Sequence, residues 1–72
     1  MNEINYKGHR IFADPYPQED DSWQINFYIY IGSGPSEHCW PYLLPVKCRS
    51  QEDAVAYCHK AARDIIDNIT RG

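Results

Sequence analysis

The chain has 72 residues, 43% hydrophobic and 24% charged, and its ten acidic and seven basic side chains give a formal net charge of -3. That composition is globular rather than disordered, and the length allows one domain, 1–72, whose thin core buries about 60% of the surface exposed on unfolding. Weak acidity disfavours nonspecific attraction to phosphate backbones. No run approaches the roughly 18 apolar residues of a membrane span, and the polar N-terminus lacks a signal-peptide pattern, so no membrane association is expected.

The first strand region runs from Glu3 to Asp14. Lys7-Gly8 is a tight turn, because glycine takes positive φ without steric cost, and it divides the region into a hairpin of Ile4–Tyr6 against His9–Ala13. Asp14-Pro15-Tyr16-Pro17 is expected to end it, since proline removes an amide donor and restricts the residue before it. Gln18 to Ser22 continues as a polar, acidic loop.

Residues 23–31 carry the clearest pattern. Trp23, Ile25, Phe27, Ile29 and Ile31 are large and apolar, while the intervening positions are Gln24, Asn26, Tyr28 and Tyr30. Period-2 alternation of this kind is a strand with one face in a core. Gly32-Ser33-Gly34-Pro35-Ser36 breaks it with successive turn residues. A third strand follows over 40–48, with Trp40, Tyr42, Leu44, Val46 and Cys48 on one face. Pro41, Pro45 and Lys47 fall on the other, which places this strand at a sheet edge.

Ser50-Gln51-Glu52-Asp53 opens a helix, with a serine N-cap and carboxylates beside the positive end of the helix dipole. Ala54, Cys58, Ala61 and Ile65 recur at helical spacing, widened by Val55, Ala62, Ile66 and Ile69. Lys60–Asp64 and Arg63–Asp67 stand at i,i+4 on the polar side, and Arg71-Gly72 gives the helix a basic residue and a glycine at its end. One apolar helix face and one apolar sheet face make an α+β fold. It is an antiparallel three- to four-stranded sheet with one C-terminal helix on one face, in the order β-β-β-α. The expected core is Ile11, Trp23, Ile25, Phe27, Ile29, Leu44, Val46, Ala54, Cys58, Ala61, Ile65 and Ile69.

Chemistry-bearing motifs are sparse. Structural zinc sites present a short Cys-x2–4-Cys pair, whereas Cys39, Cys48 and Cys58 lie far apart in sequence, and Cys58 sits on the apolar helix stripe. No metal or other cofactor is expected. Three cysteines cannot all pair within one chain, and the odd count points to reduced thiols in a cytoplasm. His38-Cys39 are neighbours in an extended segment, so their side chains point to opposite sides. Gly32-Ser33-Gly34 is followed by Pro35 and more loop, where a phosphate site needs a helix. Glu19-Asp20-Asp21 has no basic or apolar neighbours to separate its pKa values. The expectation is a protein that is not an enzyme.

Strand–strand–strand–helix order is similar to that of the double-stranded-RNA-binding domain, and aromatics on an open sheet resemble a base-stacking platform. The residues that would serve either role are missing. The helix opens on Gln51-Glu52-Asp53 where phosphate contacts need lysine, and Arg10 and Lys47 make a weak cationic footprint. Nucleic acid is therefore the alternative partner, as is an acidic inhibitor whose Glu19-Asp20-Asp21 loop competes for a nucleic-acid-binding protein.

The leading candidate is the even face of the 23–31 strand. Tyr28 and Tyr30, flanked by Phe12 or Arg10 on one side and Leu43 or Lys47 on the other, would form a patch of roughly a few hundred Å2, the range that marks interaction sites. Tyr28, Tyr30, Phe12 and Leu43 are the expected binding residues, for a protein partner or for a second copy of the chain. The bland reading is that tyrosines favour strands anyway, and the sequence leaves open whether the 15–22 loop folds over them. Asn5-Tyr6-Lys7-Gly8-His9-Arg10-Ile11 at the start, with Glu52-Asp53-Ala54-Val55 opening a helix that contains Cys58, resembles a group of short uncharacterised bacterial proteins. The resemblance implies this fold and a bacterial cytoplasmic setting, and brings no activity with it.

Overall fold

In the computed structural model, residues 2–32 and 34–70 are described. Met1, Ser33, Arg71 and Gly72 lie outside the described residues, and with them the expected Arg71-Gly72 helix ending. The elements in chain order are β1 (Glu3–Tyr6), β2 (His9–Ala13), β3 (Tyr16–Pro17), β4 (Trp23–Ile31), a short 3-10 turn (Gly34–Ser36), β5 (His38–Cys48) and α1 (Gln51–Thr70). The fold is α+β, an open antiparallel sheet with one C-terminal helix.

β1 and β2 form the expected hairpin, with Tyr6 opposite His9 and Ile4 opposite Ile11. Its two-residue turn places Lys7 at φ 50° and Gly8 at φ 81°, the doubly left-handed backbone whose twist matches that of the flanking strands. β2 then pairs with β4, Arg10 opposite Tyr30 and Ala13 opposite Phe27.

β2 ends at Ala13, before Pro15 as expected, but the chain keeps its line past the proline and pairs with β4 again. The register of β2 on β4 runs on unbroken to Tyr16 opposite Gln24 and Pro17 opposite Trp23 in β3. Asp14 still donates its amide to the Asn26 carbonyl at 2.9 Å. Pro15 has no amide to give, so it interrupts the ladder, yet its ring is buried in line with Ile11 and Ala13. A proline here costs the hydrogen-bond pattern without redirecting the chain. The turn comes later, where the Asp20 carboxylate accepts the Ser22 amide at 3.2 Å and Asp21 takes φ 63°.

On its other side β4 pairs with β5 along its whole length, from Trp23 opposite Cys48 to Ile31 opposite His38. Gln24 faces Lys47 while Ile25 faces Leu44, so Pro45 and Val46 are extra residues on β5. An insertion of two preserves the alternation of faces, and Leu44, Val46 and Cys48 all remain packed against the core. Among the described residues β5 pairs with β4 alone, and the edge position tolerates Pro41 and Pro45.

α1 is capped as its sequence predicts, the Ser50 hydroxyl accepting the Asp53 amide at 3.1 Å. Its buried line is rotated from the expected one. Ala54, Cys58, Ala62 and Ile66 are fully buried, Ala61 and Ile65 only flank the core, and Ile69 is 53% exposed. Three small residues in an i,i+4 row let the helix axis approach the sheet closely, and such a row slants across it. The slant runs from Cys58, whose thiol lies 3.5 Å from the Asn26 carbonyl, to Asp67 over the hairpin turn. Ile69 comes after the sheet has run out beneath the helix. The rest of the fully buried set is Ile11, Ala13, Ile25, Phe27 and Ile29; Trp23, Leu44 and Val46 from the expected core are half-buried around it.

The far end of the helix is clasped to the first hairpin. The Tyr6 hydroxyl donates to both carboxylate oxygens of Asp67, at 2.9 and 3.1 Å, and the Lys7 ammonium lies 2.6 Å from one of them. The Asp67 hydrogen bond raises the pKa of Tyr6 and that of Lys7, since the carboxylate favours the protonated form of each.

Candidate interaction surface

The alternation of β4 sends its odd residues beneath α1 and its even residues to the opposite side of the sheet. Register then decides their neighbours. Phe12, Tyr28 and Pro41 form one row across β2, β4 and β5; Arg10, Tyr30 and Cys39 form the next; Asn26 stands opposite Leu43, and Tyr16, Gln24 and Lys47 form the last. Among the described residues no second layer covers this side. The 15–22 segment does not fold across the tyrosines, because β3 extends the sheet instead.

All four expected residues therefore share one face, but their environments differ. Phe12 and Tyr28 stack with ring centroids 6.3 Å apart and planes inclined by 22°, a favourable offset pair. Leu43, diagonal to Tyr28, is 61% exposed. Tyr30 is the least available of the four: the Arg10 guanidinium lies 4.4 Å over its ring. Cys39 stands opposite it on β5, and its thiol raises the pKa of the Tyr30 hydroxyl. The apolar centre of the face thus lies around Tyr28 and Leu43, and Tyr16, 42% exposed, stands apart from it in the Gln24–Lys47 row. Tyr16 was readable from parity, since Phe12, Asp14 and Tyr16 are all even, had the strand been carried through Pro15.

The cations on this face are engaged. Arg10 lies 3.0 Å from Glu37 and 3.8 Å from Glu3, and Lys47 lies 3.6 Å from Asp20. The Asp20 carboxyl is held below its ordinary range, first by the Ser22 hydroxyl and amide and then by Lys47. Arg10 sits between an aromatic ring and two carboxylates, which leaves little of its charge for a phosphate.

Among the described residues, no three His, Cys, Asp or Glu side chains gather as a metal site. Cys39 is exposed, Cys48 half-buried and Cys58 buried, all as free thiols. Burial pushes the Cys58 thiol up to about 11, so at pH 8 only about one molecule in a thousand carries it as thiolate. A thiol reagent at that pH is expected to label Cys39 first and to reach Cys58 only after unfolding. Mass mapping checks this, and labelling of Cys58 at the rate seen in denaturant would contradict it.

Away from the sheet face, a shallow groove lined by Asn2, Glu52, Val55 and His59 runs beside the first turns of α1, where the His59 ring bonds the Asn2 carbonyl at 3.1 Å. No described helix is long and apolar enough to cross a membrane. No protein-family model, curated protein or solved structure matches the chain.

Proposed function

We propose that this chain is a small non-enzymatic binding module that engages another protein through the helix-free sheet face. The observation that supports it best is the exposure of Leu43, diagonal to the Tyr28 ring of the Phe12–Tyr28 stack, on a face with no second layer among the described residues. Exposed leucine gains nothing from water, whereas a contiguous aromatic and aliphatic patch gains about 25 cal/mol per Å2 when a partner covers it. Tyrosines contribute rigid contact area at low entropic cost. A bacterial cytoplasmic setting accords with free thiols and belongs to the same proposal.

The test is binding of a captured host protein, measured by calorimetry with wild type and with the double variant Tyr28→Ser, Leu43→Ser. A loss of about tenfold or more supports the reading, and equal affinities sink it. Base stacking on the same tyrosines is the competing idea, and the ion pairs of Arg10 and Lys47 count against it. Short single-stranded RNA and DNA oligonucleotides are accordingly expected to leave fluorescence anisotropy unchanged even at low salt. A rise that weakens steeply with added salt would restore nucleic acid as the partner.

A further inference from the structure

Charge on this protein is unevenly placed. Glu3 stands on the sheet face opposite Phe12, Asp14 shares the parity of Phe12 and stands opposite Asn26, and Glu37 and Asp20 reach Arg10 and Lys47; Glu19 lines the same hollow as Lys47. Against those five carboxylates the paired strands of that face present Arg10 and Lys47, an excess of three negative charges. The remainder of the sequence holds five acidic and five basic residues, so the face and its border account for the whole net charge of -3.

We infer that the open face docks a cationic segment of another protein, with the apolar Phe12, Tyr28 and Leu43 between acidic ends at the Tyr30 and Gln24 rows and with Glu3 and Asp14 beside them on the β1–β2 side. The inference rests on the binding-module reading and adds the chemistry of the partner. Face-to-face pairing of two copies would set like charge against like charge, which disfavours a second copy as the occupant. A partner with arginines or lysines at both ends of an apolar stretch meets no such repulsion. The acidic ends flank β4 at the levels of Tyr30 and Gln24, six residues apart, or roughly 20 Å along the strand. A helix of about 13 residues spans that distance.

The probe is a synthetic 15-residue amphipathic peptide with arginines in its first and last turns and leucine and tryptophan on one face between them. Its control carries glutamate in place of each arginine. Amide chemical shifts of the isotope-labelled protein are followed at low salt with each peptide, and also over a dilution series without peptide. The arginine peptide is expected to shift amides around Phe12, Tyr28 and Leu43 and to bind about tenfold or more tighter than the glutamate peptide. Neutralising the face with Glu3→Gln, Asp14→Asn and Asp20→Asn together should weaken it about tenfold. Leu43→Ser, at an exposed position that folding does not depend on, should weaken it at low and at high salt alike.

Equal binding of both peptides at these amides overturns the cationic partner and leaves the binding face standing. Shifts of the same amides on dilution, with none from either peptide, do likewise and make a second copy the occupant. Shifts confined to α1, or none from any addition or dilution, overturn both readings.

Discussion

Phe27→Ala is expected to lower the stability of this domain by about 3–5 kcal/mol, through lost burial together with the cavity left behind. Phe27 is fully buried in the middle of β4, opposite Ala13 on β2 and Tyr42 on β5. Its ring stacks on Tyr42 with centroids 5.1 Å apart and planes inclined by 13°. Neither neighbour can fill the gap, since Ala13 is too small and Tyr42 is held on an edge strand. At about 0.05–0.15 kcal/mol per residue a chain of this length has roughly 4–11 kcal/mol in total, so the variant approaches or crosses the point of unfolding. Urea denaturation reads the effect directly. A midpoint equal to wild type would mean that the odd face of β4 is not the core.

Ile66→Ala is expected to cost about 2–5 kcal/mol, while Ile69→Ala stays within about 0.5 kcal/mol. Both are isoleucines on the apolar side of α1, and composition alone does not separate them. Ile66 is fully buried in the i,i+4 row that faces the sheet, whereas Ile69 is 53% exposed. Thermal or urea unfolding of the two variants, with circular dichroism confirming the helix, distinguishes the rows. Equal losses at the two positions would restore the stripe centred on Ala61 and Ile65.

These two cases mark how far the sequence can be read. β4 is legible because each residue of a strand lies on one of two faces, so five odd apolar residues admit one orientation. The hairpin is legible because Lys7-Gly8 supplies the backbone its turn requires, and the helix start because Ser50 caps it. The helix stripe is only half legible: eight apolar positions span a wide arc, and which line lies deepest depends on the crossing angle with the sheet. Ala54, Cys58 and Ala62 look weaker than Ile65 as core residues in a sequence, yet their smallness is what brings the helix close. Pro15 is misleading for a different reason. The lost amide is a local property, whereas the register that carries β2 into β3 is imposed by β4. On the candidate surface, Tyr28, Phe12 and Leu43 follow from alternation. The pairing of Arg10 with Glu37, 27 residues away, follows only from the fold.

The clasp at the end of α1 bears on the order in which the protein assembles. Tyr6 and Asp67 are 61 positions apart in sequence, so their bond ties nearly the whole chain into a ring. Closing so large a loop before the sheet and helix have docked is entropically unfavourable, and the contact belongs to the last stage of folding. Interactions formed after the transition state govern escape from the native state rather than entry to it. Asp67→Asn is therefore expected to speed unfolding and leave refolding nearly unchanged in stopped-flow measurements; a refolding rate slowed in proportion would place the clasp early. Because the protonated forms of Tyr6 and Lys7 are favoured in the folded state, what the clasp contributes is present at neutral pH and fades as pH rises through their raised pKa values. In strong alkali the native lifetime is therefore expected to shorten.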